Sequence, residues 1–372
     1  MHRGLKGHFK TTWSSRKEKP FNLEENSFTC AFETDKPGTT PHMEKIFLTG
    51  ATGIIGRRVV EQLTGRGDLF NCLVRPGRET SGIPKELTVH GDILDANSLR
   101  AGMQGASHVI HLAALADWEH IDSPKVRETI VEGTRNVLAA AKAAGIRRVL
   151  YVSSAAAING THQPQLLDES AQFTLPVKGY LYAHAKHEAE NLCQTYQADG
   201  LPVVIVNPSE TYDPGGHRPA TSENLRRLAS GPALVTRGGT GVVHAIDVAK
   251  GILATLLQGH PGQRYILSSE NLSYARIGEL VREACGRPTR FREVPNLLVQ
   301  FLASLEKHLP LPLGLNPGLI PYATRYWFMD SRKARQHLGW RPQSAIQTVL
   351  ETAKALCQEQ GCGKTAASRS QA

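Results

Sequence analysis

The chain has 372 residues, 40% hydrophobic and 21% charged, enough for one large domain or two modest ones around a buried core. Its 43 Lys and Arg against 34 Asp and Glu leave a formal charge of +9, but the basic residues form no dense run beside aromatics, which argues against a nucleic-acid partner. No apolar run reaches the roughly 18 residues of a membrane span, and the six cysteines (30, 72, 193, 285, 357 and 362) show neither a C-x-x-C pair nor zinc spacing, so a reduced, cytoplasmic chain without a metal is expected rather than a disulfide framework.

Residues 1–42 are polar, mixed in charge and aperiodic, the composition of a disordered extension. They contain no apolar secretory segment, and Met43, directly before the first strand, is a plausible start of the functional protein. From there strands and helices alternate. "KIFLTG" (45–50) reads as a strand, "IIGRRVVEQLTGRG" (54–67) as a helix with a glycine stop, and "FNCLVR" (70–75) as a second strand. "LTVHGDILD" (87–95) is a third strand before a helix capped at Asn97 or Ser98. "ASHVIHLAA" (106–114) is a fourth, residues 123–145 a long helix, and "RRVLYVSSAA" (147–156) a fifth strand. "AHAKHEAENLCQTYQADG" (183–200) is a helix and "LPVVIVNP" (201–208) a sixth strand. Strands separated by helices of this length imply right-handed crossovers and a doubly wound, Rossmann-type α/β sheet, parallel and covered on both faces.

After Pro208 the pattern is irregular. "VVHAIDVAKGILATLLQG" (242–259) and "SYARIGELVREACG" (273–286) read as helices and "QRYILS" (263–268) as a strand. The expected organisation is a dinucleotide-binding domain over 43–208 and a smaller C-terminal substrate lobe over 209–356 with segments returning to the core. A disordered tail over 357–372 completes it. "NLLVQFLASLEKHLPLPLGL" (296–315) reads as a helix packing on that lobe; a cover over an apolar substrate, or a membrane-surface contact, is the alternative.

Three places carry chemistry. "TGATGIIG" follows the first strand and opens a helix. Gly50, Gly53 and Gly56, with Thr52, Ile54 and Ile55, would let backbone approach a pyrophosphate at the helix N-terminus; a ligand-free glycine turn uses the same residues, but the position after the first strand favours a dinucleotide. Arg75, with Arg78 behind it, stands at the tip of the second strand where an acid would hold the ribose of NAD, so NADP is favoured and NAD is the alternative. Asp92 and Ile93 after the third strand suit the adenine, and Leu112, Ala113 and Ala114 let a cofactor lie against backbone. Tyr182 and Lys186 stand one helical turn apart, where an ammonium would lower the phenol pKa, and Ser153 and Ser154 lie at the carboxyl edge of the fifth strand. A serine there can hold a carbonyl oxygen while the phenol moves a proton.

In order, "TGATGIIG", "GDILD", "HLAA", "VEGTRNVL", "YVSSAAA" and "YAHAK", then "VVHAIDVAKGIL", "RYILSSENLSYARIGEL" and "DSRKARQHLGWRP", resemble the extended short-chain dehydrogenase/reductase superfamily in its epimerase/dehydratase branch, over about residues 44–350. The resemblance implies Tyr182 as acid/base, Lys186 as its partner, Ser154 as carbonyl holder, Asn207 and Pro208 at the nicotinamide end, and a homodimer through the long helices. Three departures stand out: Ile130 where many members have asparagine, Asp213 where many have glycine, and no arginine ahead of Asn207. They favour a reductase-like member, near the dihydroflavonol reductases, acting on a small carbonyl or alcohol substrate that is hydrophobic. A nucleotide-sugar epimerase/dehydratase holding NAD and a non-catalytic nucleotide-binding relative are the competing readings. His111, His184, His187 and His244 lack ligand spacing, and the two on the Tyr182 helix are expected on a solvated face. Asp247 and Asp330 are expected at helix starts, the latter capping the last helix.

Overall fold

The apolar runs of the first half of the chain become strands buried on both faces, and the amphipathic runs between them become the covering helices. The computed structural model describes residues 45–359 except 79, 81, 116–120, 122, 216–219 and 307–317. The expected disordered extension over 1–42 and the Met43 start lie outside the described residues, as do residues 360–372 of the expected disordered tail; residues 357–359 are corrected, because they continue the last helix of the chain. The first half consists of β1 (Ile46–Thr49), α1 (Ile54–Arg66), β2 (Phe70–Val74), β3 (Thr88–His90), α2 (Ala96–Gly102), β4 (His108–His111), α3 (Pro124–Ala143), β5 (Arg148–Val152), α4 (Leu181–Ala198) and β6 (Val203–Pro208). The remainder consists of β7 (Glu210–Tyr212), α5 (Ala220–Ser230), β8 (Leu234–Thr236), β9 (Gly239–His244), α6 (Ala245–Gln258), β10 (Arg264–Leu267), β11 (Glu270–Ser273), α7 (Tyr274–Ala284), β12 (Arg292–Val294), α8 (Asn296–Glu306), α9 (Ile320–Ala323), β13 (Tyr326–Trp327), α10 (Arg332–His337) and α11 (Ala345–Glu359).

Seven strands form one parallel sheet in the order β10-β6-β5-β4-β1-β2-β3. The chain runs outward from β1 to β3, then returns to the other side of β1 at β4. That reversal opens a crevice at the carboxyl ends of β1 and β4, where such sheets take their ligands. Register brings Thr49 beside His111, His111 beside Tyr151 and Val152 beside Val206, so the segments after four strands meet along one edge. One face of the sheet packs under α3 and α4 through Val109, Val149, Ile205, Val137 and Ala189. The other packs against α1 and α6 through Leu48, Leu150, Val59 and Ile252.

Local sequence explains the element ends. Gly67 closes α1 in the left-handed conformation at φ 71°, its N–H donating back into the last turn. Pro124 occupies the first position of α3, where a missing N–H costs nothing. Asp95, not Asn97 or Ser98, caps α2, its carboxylate accepting from both of their N–H groups; an acid two residues before Asn97 reaches these donors with a charged acceptor.

Beyond β6 the chain returns to the first sheet. The expected helix over 242–259 begins as strand: Val242 and Val243 are β-branched and pair with β11 and β7. The helix starts only at Ala245, capped by His244, whose Nδ1 accepts from the Ile246 N–H at 3.0 Å. α6 then packs alongside α1, and β10 joins the large sheet beside β6. A smaller sheet, β11-β9-β13 with β7 on β9, is covered by α5, α7 and α11.

The expectation of reduced cysteines is corrected. Cys285, at the end of α7, is joined to Cys357 of α11, with Cα atoms 5.9 Å apart. Packing of Ile277, Leu280 and Val281 against Val349, Ala353 and Leu356 brings the two helices side by side, a proximity that linear spacing cannot reveal. Cys72 and Cys193 are free and buried. No helix among the described residues is long and apolar enough to cross a membrane.

Candidate active site

The three glycines of the first turn have different jobs. Gly50 has φ +80°, and a Cβ there would lie 2.6 Å from the Ala113 nitrogen, so β4 can approach β1 only over a glycine. At Gly56 a Cβ would lie 2.1 Å from the Gly50 carbonyl oxygen, so close packing of α1 against the turn requires it. At Gly53 a Cβ would meet only that oxygen, at 3.4 Å. Gly53 is exposed at the N-terminus of α1 with ordinary φ −78°, and nothing in the fold demands a glycine there. Its bare backbone fits close approach by an outside group, and the uncapped first turn of α1 offers N–H donors to an anion. Thr52, Ile54 and Ile55 surround that surface, half-buried except for their backbone roles.

At the far end, Arg75 and Arg78 are exposed just past β2 and have no ion-pair partner among the described residues. Asp92 lies two residues beyond β3 and accepts from the Leu94 N–H at 2.9 Å, leaving its second oxygen without a partner among the described residues. The Ile93 side chain is buried, its Cδ1 filling the space over Gly133, where a Cβ would come within 2.4 Å. Leu112 and Ala113 are half-buried and Ala114 exposed, next to the Gly50 turn.

At the other end of the crevice Ser154 meets Tyr182, with Lys186 one turn along the same helix. Ser154 follows β5, and Tyr182 and Lys186 project from the buried face of α4. The Ser154 hydroxyl hydrogen-bonds the Tyr182 phenol and also accepts from the Ala156 N–H at 3.2 Å. The Ser153 hydroxyl is buried without a hydrogen-bond partner among the described residues, which favours Ser154 as the phenol's neighbour. The expected lowering of the phenol pKa by Lys186 is not found. Burial raises the Tyr182 pKa, with the Ser154 hydrogen bond in partial opposition. The reason is geometric: the Lys186 Nζ donates to the Val152 carbonyl at 3.0 Å and stands 5.1 Å over the Tyr151 ring. Burial lowers the ammonium itself to about 8.

Asn207 is fully buried on β6, donating to the Ser154 carbonyl at 2.9 Å, while its own Oδ1 has no partner among the described residues. Pro208 ends the same strand, also buried. Orphaned polar atoms on Ser153 and Asn207 and the open backbone at Gly53 mark two ends of one edge, which is what a long dinucleotide with polar groups at both ends requires. Ile130, on α3, is buried in the apolar core, so its position presents no polar side chain.

Several residues escaped the sequence reading. Glu190, four residues after Lys186 and buried, accepts from Asn207 Nδ2 at 2.6 Å and pairs with Arg264 at 3.1 Å; a third ionisable group on the same four-residue repeat was the available signal. Tyr322 caps α4 from a distance, accepting the Ala183 N–H at 3.3 Å; no local pattern announces it. Asp213 does not simply reshape a loop. It takes both Nε and Nη2 of Arg58, at 2.9 and 2.7 Å, tying the segment after β7 to α1.

The expectation of solvated histidines on α4 is also corrected. Phe173 stacks on the His187 ring at 4.2 Å and meets His184 edge-on at 4.9 Å, while His184 Nε2 lies 2.9 Å from the Leu175 carbonyl. His111 bridges the Thr49 and Thr134 hydroxyls at 2.7 and 3.1 Å, and burial lowers it to about 3, so it is a neutral core group. Asp247 lies in the first turn of α6 and accepts from the Gln343 N–H at 2.8 Å, whereas His244 is the cap. Asp330 accepts from the Arg332 N–H at the start of α10, the helix of its own segment, where Ser331 rather than Asp330 takes the N-cap position.

Comparison with known proteins agrees with this geometry. The family model described as the NAD dependent epimerase/dehydratase family matches residues 46–268, more than half of the chain. A protein of Synechocystis sp. with the provisional name dihydroflavonol 4-reductase is 33% identical over 333 residues, covering 86% of this chain and 96% of that protein. Sterol demethylase protein B of Methylococcus capsulatus is 27% identical over 311 residues, 80% of this chain and 93% of its own. A nucleoside-diphosphate-sugar epimerase of Pseudomonas aeruginosa superposes with a TM-score of 0.70 at 24% identity, over 86% of this chain and 99% of that one; this likeness bears on the fold alone.

Proposed function

The chain belongs to the NAD dependent epimerase/dehydratase family, whose reductase and dehydrogenase members make it an oxidoreductase, and from that premise we propose that it reduces a ketone or aldehyde with NADPH, Tyr182 donating the proton. The observation that carries the reading is the hydrogen bond between the half-buried Ser154 and the buried Tyr182, set at the carboxyl edge of β5 with Lys186 one turn along α4. When bound, the nicotinamide supplies the hydride. The Ser154 hydroxyl holds the carbonyl oxygen, and Tyr182 gives up its proton as negative charge grows there. A phenol kept protonated by burial suits a donor in reduction better than a base in oxidation. Lys186, charged below about pH 8, supplies the cation that a phenolate left after transfer would need.

The NADP preference rests on Arg75 and Arg78, exposed past β2 where no acid stands to hold a ribose hydroxyl. A bulky apolar carbonyl compound is supported by the names of two relatives, a dihydroflavonol 4-reductase and a sterol demethylase protein, and by apolar side chains left exposed on α8, Leu297, Leu298 and Phe301. The test is consumption of NADPH against NADH by the purified protein over a panel of cyclic and aromatic ketones and aldehydes. Ketone-dependent oxidation of NADPH, lost in Tyr182→Phe, is the expected result. A sample that retains NAD tightly and consumes no added NADPH would overturn it in favour of an internal redox cycle.

A further inference from the structure

Ionised groups that the reaction above does not use lie on the same stripe as the catalytic pair. Tyr182, Lys186 and Glu190 recur every four residues, so α4 presents all three to the sheet, and all three are buried. A carboxylate only 4% exposed is costly unless it is paired and hydrogen-bonded. Glu190 has both. One oxygen accepts from Asn207 Nδ2 at 2.6 Å and the other meets Arg264 Nη1 at 3.1 Å. Arg264, from β10, is itself fixed on the carbonyls of Glu169 and Ala171. Asn207 passes the constraint on, donating to the Ser154 carbonyl at 2.9 Å. One connected chain therefore runs from the edge strand of the sheet to the residue whose hydroxyl meets Tyr182.

The surroundings of Lys186 show what this carboxylate can do. The titratable groups facing it are Tyr182, Glu190 and Cys193 on α4, Tyr151 on β5 and His111 on β4. Burial holds the Cys193 thiol and the Tyr151 and Tyr182 phenols up, and holds His111 down to about 3. All four are thus neutral near pH 7, and Glu190 is the carboxyl group of the set, ion-paired with Arg264. We propose that Glu190 is the positioning residue of the catalytic pair: it fixes Asn207 and the Ser154 backbone on one side, keeps Lys186 cationic on the other, and has its field tuned by Arg264. The catalytic half of this claim rests on the proposed oxidoreductase reading; the electrostatic half does not.

The experiment follows Lys186 directly, by carbon NMR of side-chain-labelled lysines in the full chain, the Lys186 signal being identified by its loss in Lys186→Met. Glu190→Gln is expected to lower the titration midpoint by on the order of 1 pH unit, the scale of a neighbouring opposite charge. Arg264→Gln is expected to raise it, since the carboxylate is then less neutralised, and Glu190→Asp is expected to restore most of the original midpoint. In the reduction assay the alkaline limb of kcat should move with these midpoints, while KM for the carbonyl substrate stays within about twofold. A role in packing alone would not move the two variants in opposite directions. Midpoints unchanged in both, or displaced the same way in both, would overturn the inference. If Glu190→Gln does not fold by its melting curve, Arg264→Gln and Glu190→Asp carry the measurement. Opposite shifts without any reductase activity would leave the inference standing and remove the proposed function, whereas activity with fixed midpoints would do the reverse.

Discussion

Tyr182 and the glycines of the first turn are the positions where a single atom separates one function from another. Replacing Tyr182 with phenylalanine removes only the hydroxyl that meets Ser154, so kcat for reduction should fall by about 10²–10⁴, the usual contribution of a placed general acid, with cofactor affinity held within a few-fold in a fluorescence titration. Gly56→Ala forces a methyl group into the Gly50 carbonyl, 2.1 Å away, and should lower the melting temperature clearly. Gly53→Ala meets nothing closer than 3.4 Å, so it should melt near the wild type yet lose at least about tenfold in dinucleotide affinity, roughly 1.4 kcal/mol. Equal melting losses in both variants would show that Gly53 serves the fold and not a ligand.

Among the elements, the strand and helix alternation up to Pro208 was legible because each strand is an unbroken apolar run and each helix ends on a recognisable signal, such as Gly67 at φ 71°. The trio of Ser154, Tyr182 and Lys186 was legible from spacing and position. Its electrostatics were not, because the direction of a pKa shift depends on where the Lys186 ammonium finds its acceptor, and that acceptor is a carbonyl 34 positions earlier in the chain. β9 was misread because helix and strand meet at His244 with no polar break, and pairing with β7 and β11 overrides a pattern that continues smoothly into α6. The bridge between α1 and the segment after β7 gives a further test. Asp213 is 5% exposed and takes two nitrogens of Arg58, whose third nitrogen meets Glu61 at 2.7 Å, so Asp213→Asn, which removes the more buried of the guanidinium's two carboxylate partners, should cost about 1–3 kcal/mol by denaturant unfolding. Arg58→Met with Asp213→Leu should recover much of that loss, because a half-buried pair contributes less than its rupture costs.

For the molecule entire, the link between Cys285 and Cys357 closes a loop of 72 residues. Chain-entropy reasoning assigns such a closure about 4 kcal/mol. Thermal unfolding in the presence of a thiol reductant should therefore start several degrees lower than without it, and Cys357→Ser should melt at the lower temperature whether reductant is present or not. A wild-type curve indifferent to reductant would show that the two sulfurs do not hold α7 and α11 together in solution.

The distant clasp on α4 carries a lesson for anyone wishing to transplant this catalyst. The Ala183 N–H rests on Tyr322, the Tyr180 hydroxyl donates to the Pro321 carbonyl at 2.9 Å, and Arg325 lies over the Tyr180 ring at 5.0 Å. The helix that bears Tyr182 is thus moored by residues some 140 positions downstream. A minimal enzyme cut after β6 would retain every recognisable signature of the nucleotide half, yet leave its key phenol on an unfastened stem.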